Sequence, residues 1–165
     1  MVYRALGALF SGPGLSVALA EFHENAGTWT YELKNNSLYP AQEITSLVKQ
    51  FIEENNLQYK VALITTHSEI PGSDFNGASI AVATKLPVIT DLPALDLELG
   101  GTGDFFKTTF QKLGIAGNDD QELNKTICVA FMGVLRWREE YNFLSSATGA
   151  SRSSIGGAIW LGQEA

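Results

Sequence analysis

The sequence predicts a single α/β domain with a mixed β-sheet over residues 1–165. Three observations carry this prediction. Residues 1–33 contain three strand-like stretches separated by glycine-bearing turns, which is typical of an antiparallel meander. Apolar residues at helical spacing follow in residues 44–52. The next run, Tyr59–Thr66, is apolar and β-branched, as expected of a strand that is covered on both faces.

The meander is predicted to consist of strands at Val2–Phe10, Val17–His23 and Thr28–Leu33. The turn Ser11–Ser16 separates the first two, because its glycines and proline supply turn geometry. Asn25-Ala26-Gly27 separates the second from the third, and its glycine suits the positive φ of a hairpin. All pairs in this segment are therefore expected to be antiparallel.

In the rest of the chain, the sequence predicts helices that alternate with further strands. In order, the pattern predicts a helix that starts at Pro40, the strand Tyr59–Thr66, a short helix at Gly77–Thr84, a strand at Leu86–Thr90, a loop at Pro93–Gly103, a helix at residues 105–113 and a strand at Gly157–Leu161. The longest helix is expected to open at Asn118-Asp119-Asp120, where Asp119 and Glu122 suit a capping box. This order of elements is that of a ribonuclease-H-like fold, the unit of actin-like ATPases and sugar kinases.

Composition excludes several classes of protein. A hydrophobic content of 45% and a charged content of 18% are those of a folded domain. The net charge of −7 argues against nucleic acid, which is bound through clustered Lys and Arg. No stretch has the roughly 18 apolar residues that cross a bilayer, so no membrane partner is expected. The one cysteine, Cys128, lies among apolar residues and indicates a buried filler in a reducing, cytoplasmic protein.

The first candidate site is the turn Ser11–Ser16. Backbone N–H groups and short hydroxyls in such a turn hold phosphate without a counter-ion, and Ser11, Gly12, Gly14 and Ser16 supply them. A Gly-Pro-Gly turn is also common for conformational reasons alone. Both interpretations stay open at this point.

The second candidate site lies where the later strands end. Asp91 and Asp96 follow a predicted strand, where α/β sheets place ligands, and could serve as a base or bind a substrate. Gly100, Gly101 and Gly103 form a flexible loop that a ligand could approach closely. His67 follows the buried strand, and no metal site or catalytic set is predicted around it. Solvated loop charges and a histidine bonded to backbone are the alternatives.

Several segments resemble the anhydro-N-acetylmuramic acid kinases, sugar kinases of the actin-like ATPase superfamily that act in cell-wall recycling. YRALGALFSG followed by VALAEF is similar to the first hairpin of that family, which reads G-L-M-S-G-T-S-x-D-G before V-A-L-x-E. Asn76–Gly103 resembles the family's G-D-G-A-x-I-A and G-L-P-V-V-x-D-F-R-x-x-D-x-A-x-G-G-Q-G segments. Ile127–Gly162 resembles its C-terminal helix and V-T-G-A loop.

The departures from that family decide the functional expectation. The second, nucleotide-binding lobe is missing between Gly103 and about Gly114, Pro13-Gly14 replace a Thr-Ser, and Asn76 replaces an Asp. The comparison therefore implies that Ser11, Gly12, Gly14 and Ser16 are the relic of a phosphate site in an inherited hairpin turn. The resemblance therefore implies a truncated, catalytically inactive homologue that retains weak sugar or muropeptide binding. The alternatives are an active kinase completed across a dimer and a non-catalytic interaction module. No cofactor is expected, or ATP and Mg²⁺ where the activity persists.

The expected protein partner is a second copy of the chain. Aromatic residues crowd the segments Phe105–Phe110 and Trp137–Phe143, beside the missing lobe, and a large exposed apolar patch usually marks an interface. A homodimer through these segments is therefore predicted. The alternative is that the shortened chain folds these rings inward.

Overall fold

Six β-strands form one mixed sheet in the computed structural model, which describes residues 1–40, 43–115 and 121–162. In the spatial order β3-β2-β1-β4-β5-β6, the strands are β1 (Val2–Ser11), β2 (Gly14–Asn25), β3 (Thr28–Tyr39), β4 (Leu63–Ser68), β5 (Val88–Thr90) and β6 (Ala158–Trp160). β1, β2 and β3 pair antiparallel, which confirms the predicted meander. β4 pairs parallel with both β1 and β5, and β6 returns antiparallel to β5. The carboxyl ends of β1, β4 and β5 therefore lie at one edge of the sheet.

Helices cover both faces of this sheet. They are α1 (Ile44–Glu54), α2 (Gly77–Thr84), α3 (Ala94–Glu98), α4 (Phe106–Leu113), α5 (Gln121–Trp137) and α6 (Ser145–Thr148). Alternate residues of β1 point to opposite faces, as the pleat requires. Leu6 and Ala8 belong to the apolar core under α1 and α2, and Ala5 and Leu9 belong to the core under α5.

α5 lies unusually close to the sheet. A side chain at Gly7 of β1 would collide with the backbone of Thr126 and Ala130, and one at Gly133 of α5 would collide with the side chain of Thr65. Residues Thr126 to Leu135 of α5 are buried in an unbroken run because the helix is covered all round. This packing fixes the first turns of α5 above the carboxyl ends of β1 and β4.

Boundaries differ from the predictions where local signals were weak. α1 begins at Ile44 and not at Pro40. β4 begins at Leu63 and not at Tyr59, since a turn occupies residues 57–60 and Tyr59 is fully exposed there. The predicted loop Pro93–Gly103 contains the short helix α3. The predicted helix start at Asn118, Asp119 and Asp120 lies outside the described residues.

The aromatic segments do not form the predicted exposed patch. Phe105 and Phe143 are 2% and 1% exposed, and their rings pack edge to face with centroids 5.7 Å apart. Phe106 and Phe110 are half-buried, whereas Trp137 and Tyr141 are exposed. The apolar patch on which the homodimer rested is therefore reduced chiefly to Trp137 and Tyr141, because Phe105 and Phe143 belong to the core under α5. Across the described ranges, none of the helices has the length and apolar character needed to cross a membrane.

Candidate functional site

Two adjoining depressions lie at the carboxyl edge of the sheet, on either side of His67. The inner cavity has a volume of about 220 Å³ and is lined by Thr66, His67, Ser68, Asp74, Phe75, Thr90, Asp91, Pro93, Ala94 and Leu97. The outer cleft has a volume of about 520 Å³ and is lined by His67, Glu69, Thr102, Gly103, Asp104, Phe106, Lys107, Phe110 and Lys125. Strand β4 therefore delivers one side chain that faces both spaces.

The surroundings of His67 favour its neutral imidazole form. Its ring packs edge to face against Phe105 and Phe106, with centroids 5.1 and 6.0 Å away. Burial lowers the pKa of His67, and the nearby Lys125 lowers it further, while the carboxylates of Glu69 and Asp74 act in the opposite direction. A neutral imidazole offers one acceptor nitrogen and one N–H donor to whatever occupies the depressions.

Asp91 is positioned by a chain of hydrogen bonds at the end of β5. Trp160 Nε1 donates to Thr90 Oγ1 at 2.9 Å, and Thr90 Oγ1 donates to Asp91 Oδ2 at 3.0 Å. The indole of Trp160 fits there because position 77 is glycine, whose missing side chain would otherwise meet it. Asp91 also has a φ of +55°, a left-handed conformation that few residues with a side chain adopt and that aspartate and asparagine adopt more readily than most. Three separate elements, α2, β5 and β6, thus fix this carboxylate.

Two lysines and two half-buried rings characterise the outer cleft. Lys125 Nζ lies 3.1 Å from Glu69 Oε2 and 5.0 Å from the centre of the Phe106 ring. Lys107 is exposed on α4, one helical turn from Phe110, so the two side chains are neighbours on the helix surface. The cleft therefore combines cations with aromatic faces.

Asp96 and the glycine loop support the site without lining the inner cavity. Asp96 is fully buried; its Oδ1 accepts from Thr148 Oγ1 at 2.8 Å and its Oδ2 accepts from the Gly103 N–H at 2.9 Å. A side chain at Gly101 would collide with this carboxylate, and Gly100 and Gly103 have positive φ values of 87° and 75°. Of these predicted residues, only Gly103 lines a depression, the outer cleft.

The first turn is engaged with α5. Ser11 Oγ donates to Glu122 Oε2 at 2.6 Å, and Ser16 Oγ lies 2.6 Å from Thr126 Oγ1. Both serines are 5% exposed, which leaves little of either hydroxyl for a ligand. Gly14, with a φ of 132°, closes the two-residue turn of the hairpin. In this structure the predicted phosphate hydroxyls attach the meander to α5.

The described part of the chain offers neither a metal-binding cluster nor a reactive thiol. It contains no cluster of three or more His, Cys, Asp and Glu side chains that could hold a metal ion. Cys128 is buried, and burial raises the pKa of its thiol far above the ordinary value, so it is not a nucleophile at neutral pH.

Sequence reasoning located His67 and Asp91 but missed several of their neighbours. Asp74 and Glu69 lie in or beside the polar loop after β4, so a general expectation for strand ends could have included them. Trp160 could not be found in this way, because its partner Thr90 is 70 residues distant in the sequence.

No model of a known protein family matches the sequence, and no curated protein matches it. Solved structures do match. The Thermus thermophilus RuvC structure aligns with a TM-score of 0.54 and 13% identity, over 93% of this chain and 99% of that one. T. thermophilus RuvC in complex with Holliday junction substrate aligns with a TM-score of 0.48 and 11% identity, over 84% of this chain and 96% of that one. The first match shows a likeness of fold alone.

The prediction of a sugar-kinase homologue is wrong. The solved structure with the TM-score of 0.54 is of RuvC, and neither a family model nor a curated protein supports a resemblance to anhydro-N-acetylmuramic acid kinases. Both alternatives, the kinase completed across a dimer and the non-catalytic module, fail with it, as does a role in cell-wall recycling. The physical reason is that segments such as Ile127–Gly162 carry buried positions of a fold, and many chemistries share one fold.

The predicted partners are wrong as well. Sugar and muropeptide followed only from the kinase resemblance, and nucleic acid was excluded on the net charge of −7. That exclusion is not justified, because a net charge does not describe how cations are distributed over the surface, and Lys107 and Lys125 both line the outer cleft. Of the fold prediction, the mixed α/β architecture is confirmed and the ribonuclease-H-like character agrees with RuvC, but the actin-like ATPase assignment is not supported. The chain therefore has a RuvC-like fold, and the cleft at the carboxyl edge of its sheet combines two lysines, two carboxylates and two aromatic rings.

Proposed function

We propose that this chain binds single-stranded nucleic acid in the outer cleft. The observation that carries the proposal is the pairing of Lys107 and Lys125 with the rings of Phe106 and Phe110 in one depression. Lysines contact phosphates, and aromatic rings stack on unpaired bases at about 1–3 kcal/mol per base. The RuvC-like fold supports the proposal, since one RuvC structure holds a nucleic-acid substrate.

The charges that line the cleft limit the affinity for a nucleic-acid strand. Two lysines face the carboxylates of Glu69 and Asp104, so the cleft is balanced within a chain of net charge −7. With only two phosphate contacts, we expect a dissociation constant of about 10⁻⁴ M, at the weak end of non-specific binding. On a single strand the slope of log K against log salt is then about −1.4.

The proposal concerns binding and not cleavage. Two-metal nucleases hold their ions with converging side chains, chiefly carboxylates. The described residues contain no group that fits such a pair of ions, so no metal-assisted step is derived from them. Binding is proposed to need neither ATP nor Mg²⁺, in a single cytoplasmic domain whose one cysteine is free and reduced.

The test is fluorescence anisotropy with a labelled single-stranded oligonucleotide at low salt. We expect Lys107→Ala to weaken binding and flatten the salt slope by about 0.7. Phe110→Ala should weaken binding about 5- to 150-fold, the range that one lost stacking contact implies. Lys49→Ala is the matched control, because Lys49 is an exposed lysine on α1 outside the cleft. No binding by the unaltered chain, or an equal loss in the Lys49 variant, contradicts the proposal.

A further inference from the structure

We infer that the inner cavity binds an unpaired nucleobase that carries an exocyclic amino group, cytosine or adenine. The inference rests on the proposed function, because it names the part of a single strand that the neighbouring space would take. It is carried by the hydrogen-bonding character of the cavity wall, by the cavity's size and by the position of His67, which lines both the cavity and the outer cleft.

The hydroxyl groups of the wall donate their hydrogens within the protein. Thr66 Oγ1 donates to the Ile89 carbonyl at 3.4 Å, Ser68 Oγ donates to the Ile70 carbonyl at 3.3 Å, and Thr90 Oγ1 donates to Asp91 Oδ2. When they are ionised, the side chains of Asp74 and Asp91 accept hydrogen bonds and cannot donate them. The polar side chains of the wall thus offer acceptors, and the imidazole N–H of His67 is the one side-chain donor left among them.

The wall of the inner cavity disfavours a phosphate group and favours a ligand that donates hydrogen bonds. The residues that line the cavity include two aspartates but neither lysine nor arginine, so an anion would be repelled. An exocyclic amino group offers two N–H donors, and pairing of Asp or Glu with the amino group of cytosine is an established form of base readout. Uracil and hypoxanthine carry a carbonyl at the same position and would place one acceptor against another.

Size and apolar walls suit one flat ring. A volume of about 220 Å³ is smaller than a site for a drug-sized molecule, which is about 300–1,000 Å³. Phe75, Pro93 and Leu97 line the cavity beside the polar groups and provide apolar surface for the faces of a base. His67 borders both spaces, so a strand in the outer cleft can turn one base past it into the inner cavity.

The test compares nucleosides that differ in one group. Heteronuclear NMR titration of the labelled chain with cytidine, uridine, adenosine and inosine gives each dissociation constant. We expect cytidine to bind about 5- to 150-fold more tightly than uridine, and adenosine similarly more tightly than inosine, as a good base contact implies. Equal binding within either pair overturns the inference.

Asp91→Asn provides the matching variant. Asparagine tolerates the left-handed backbone at this position, so the variant should fold, and its amide can donate to a carbonyl as well as accept. The preference for cytidine over uridine should fall to within about twofold. Glu98→Gln is the control, because Glu98 is an exposed carboxylate on α3 that lines neither space. An unchanged preference in a folded Asp91 variant overturns the inference.

The two proposals fail separately. Oligonucleotide binding that depends on Lys107 but does not distinguish cytosine from uracil tracts overturns the inner-cavity inference and leaves the outer-cleft proposal standing. Nucleoside discrimination without any oligonucleotide binding overturns the outer-cleft proposal and keeps the inner cavity as a pocket for amino-bearing rings.

Discussion

Asp91 shows how single residues carry the site at a cost in stability. Its φ of +55° is unfavourable for a residue with a side chain, and the hydrogen bond from Thr90 holds the carboxylate in place. Strained backbone conformations cluster at functional sites, which agrees with the role proposed for Asp91. Lys85 has a similar φ of 60° at the C-cap of α2, where it lines neither depression.

Replacing either residue with glycine should raise stability, but only one replacement should affect binding. Asp91→Gly and Lys85→Gly are each expected to increase the free energy of unfolding by up to about 1 kcal/mol, since glycine adopts positive φ without strain. Loss of the Thr90 bond offsets part of the gain at position 91. Chemical denaturation and cytidine titration measure both effects. A loss of cytidine binding in the Lys85 variant, or normal binding in the Asp91 variant, would count against the assigned role.

At the residue scale the sequence revealed only part of the site. His67 and Asp91 could be singled out because each follows a run typical of a buried strand. The hydrogen-bond chain through Trp160 could not, since β6 must first pair with β5 to bring the indole to Thr90. Ser11 and Ser16 were read as the relic of a phosphate site, with a purely conformational turn as the alternative, and the close approach of α5 engages both hydroxyls.

At the scale of elements, α5 holds the site together. It packs on β1, β2 and β4, and its first turns supply Glu122, Lys125 and Thr126 to the carboxyl edge. The helix approaches so closely because Gly7 and Gly133 have no side chains. Long helices such as α5 could be predicted from the periodicity of their apolar residues. The helix α3 could not, because its five residues lie between a proline and a glycine-rich loop.

The close approach of α5 predicts an unusual response to alanine. Glycine to alanine within a helix normally stabilises it by about 1 kcal/mol. Gly133→Ala is expected instead to lower the free energy of unfolding by about 1–3 kcal/mol, since the new methyl group overlaps Thr65. Urea denaturation measures the change. Gly12→Ala is the control, because apart from its neighbours in the chain no atom lies within 4 Å of the side chain that it would add. Stabilisation by Gly133→Ala would show that the helix is more loosely packed than described.

At the scale of the whole molecule, the distribution of charge matters more than its sum. The net charge of −7 led to the exclusion of nucleic acid, yet the outer cleft brings two lysines and two rings to one place. Such a grouping depends on α4 and α5 packing side by side, which sequence spacing does not reveal. The RuvC-like fold places this cleft at the sheet edge where β1, β4 and β5 end.

The most direct test of the central claim maps where a single strand binds. A ¹⁵N-labelled sample is titrated with a short single-stranded oligonucleotide and the shifts of the backbone amides are followed. We predict that the largest shifts fall on α4 and the first turns of α5, around Phe106, Lys107, Phe110 and Lys125, and that added salt reverses them. Shifts centred on any other surface, or none at saturating oligonucleotide, would contradict binding in the outer cleft.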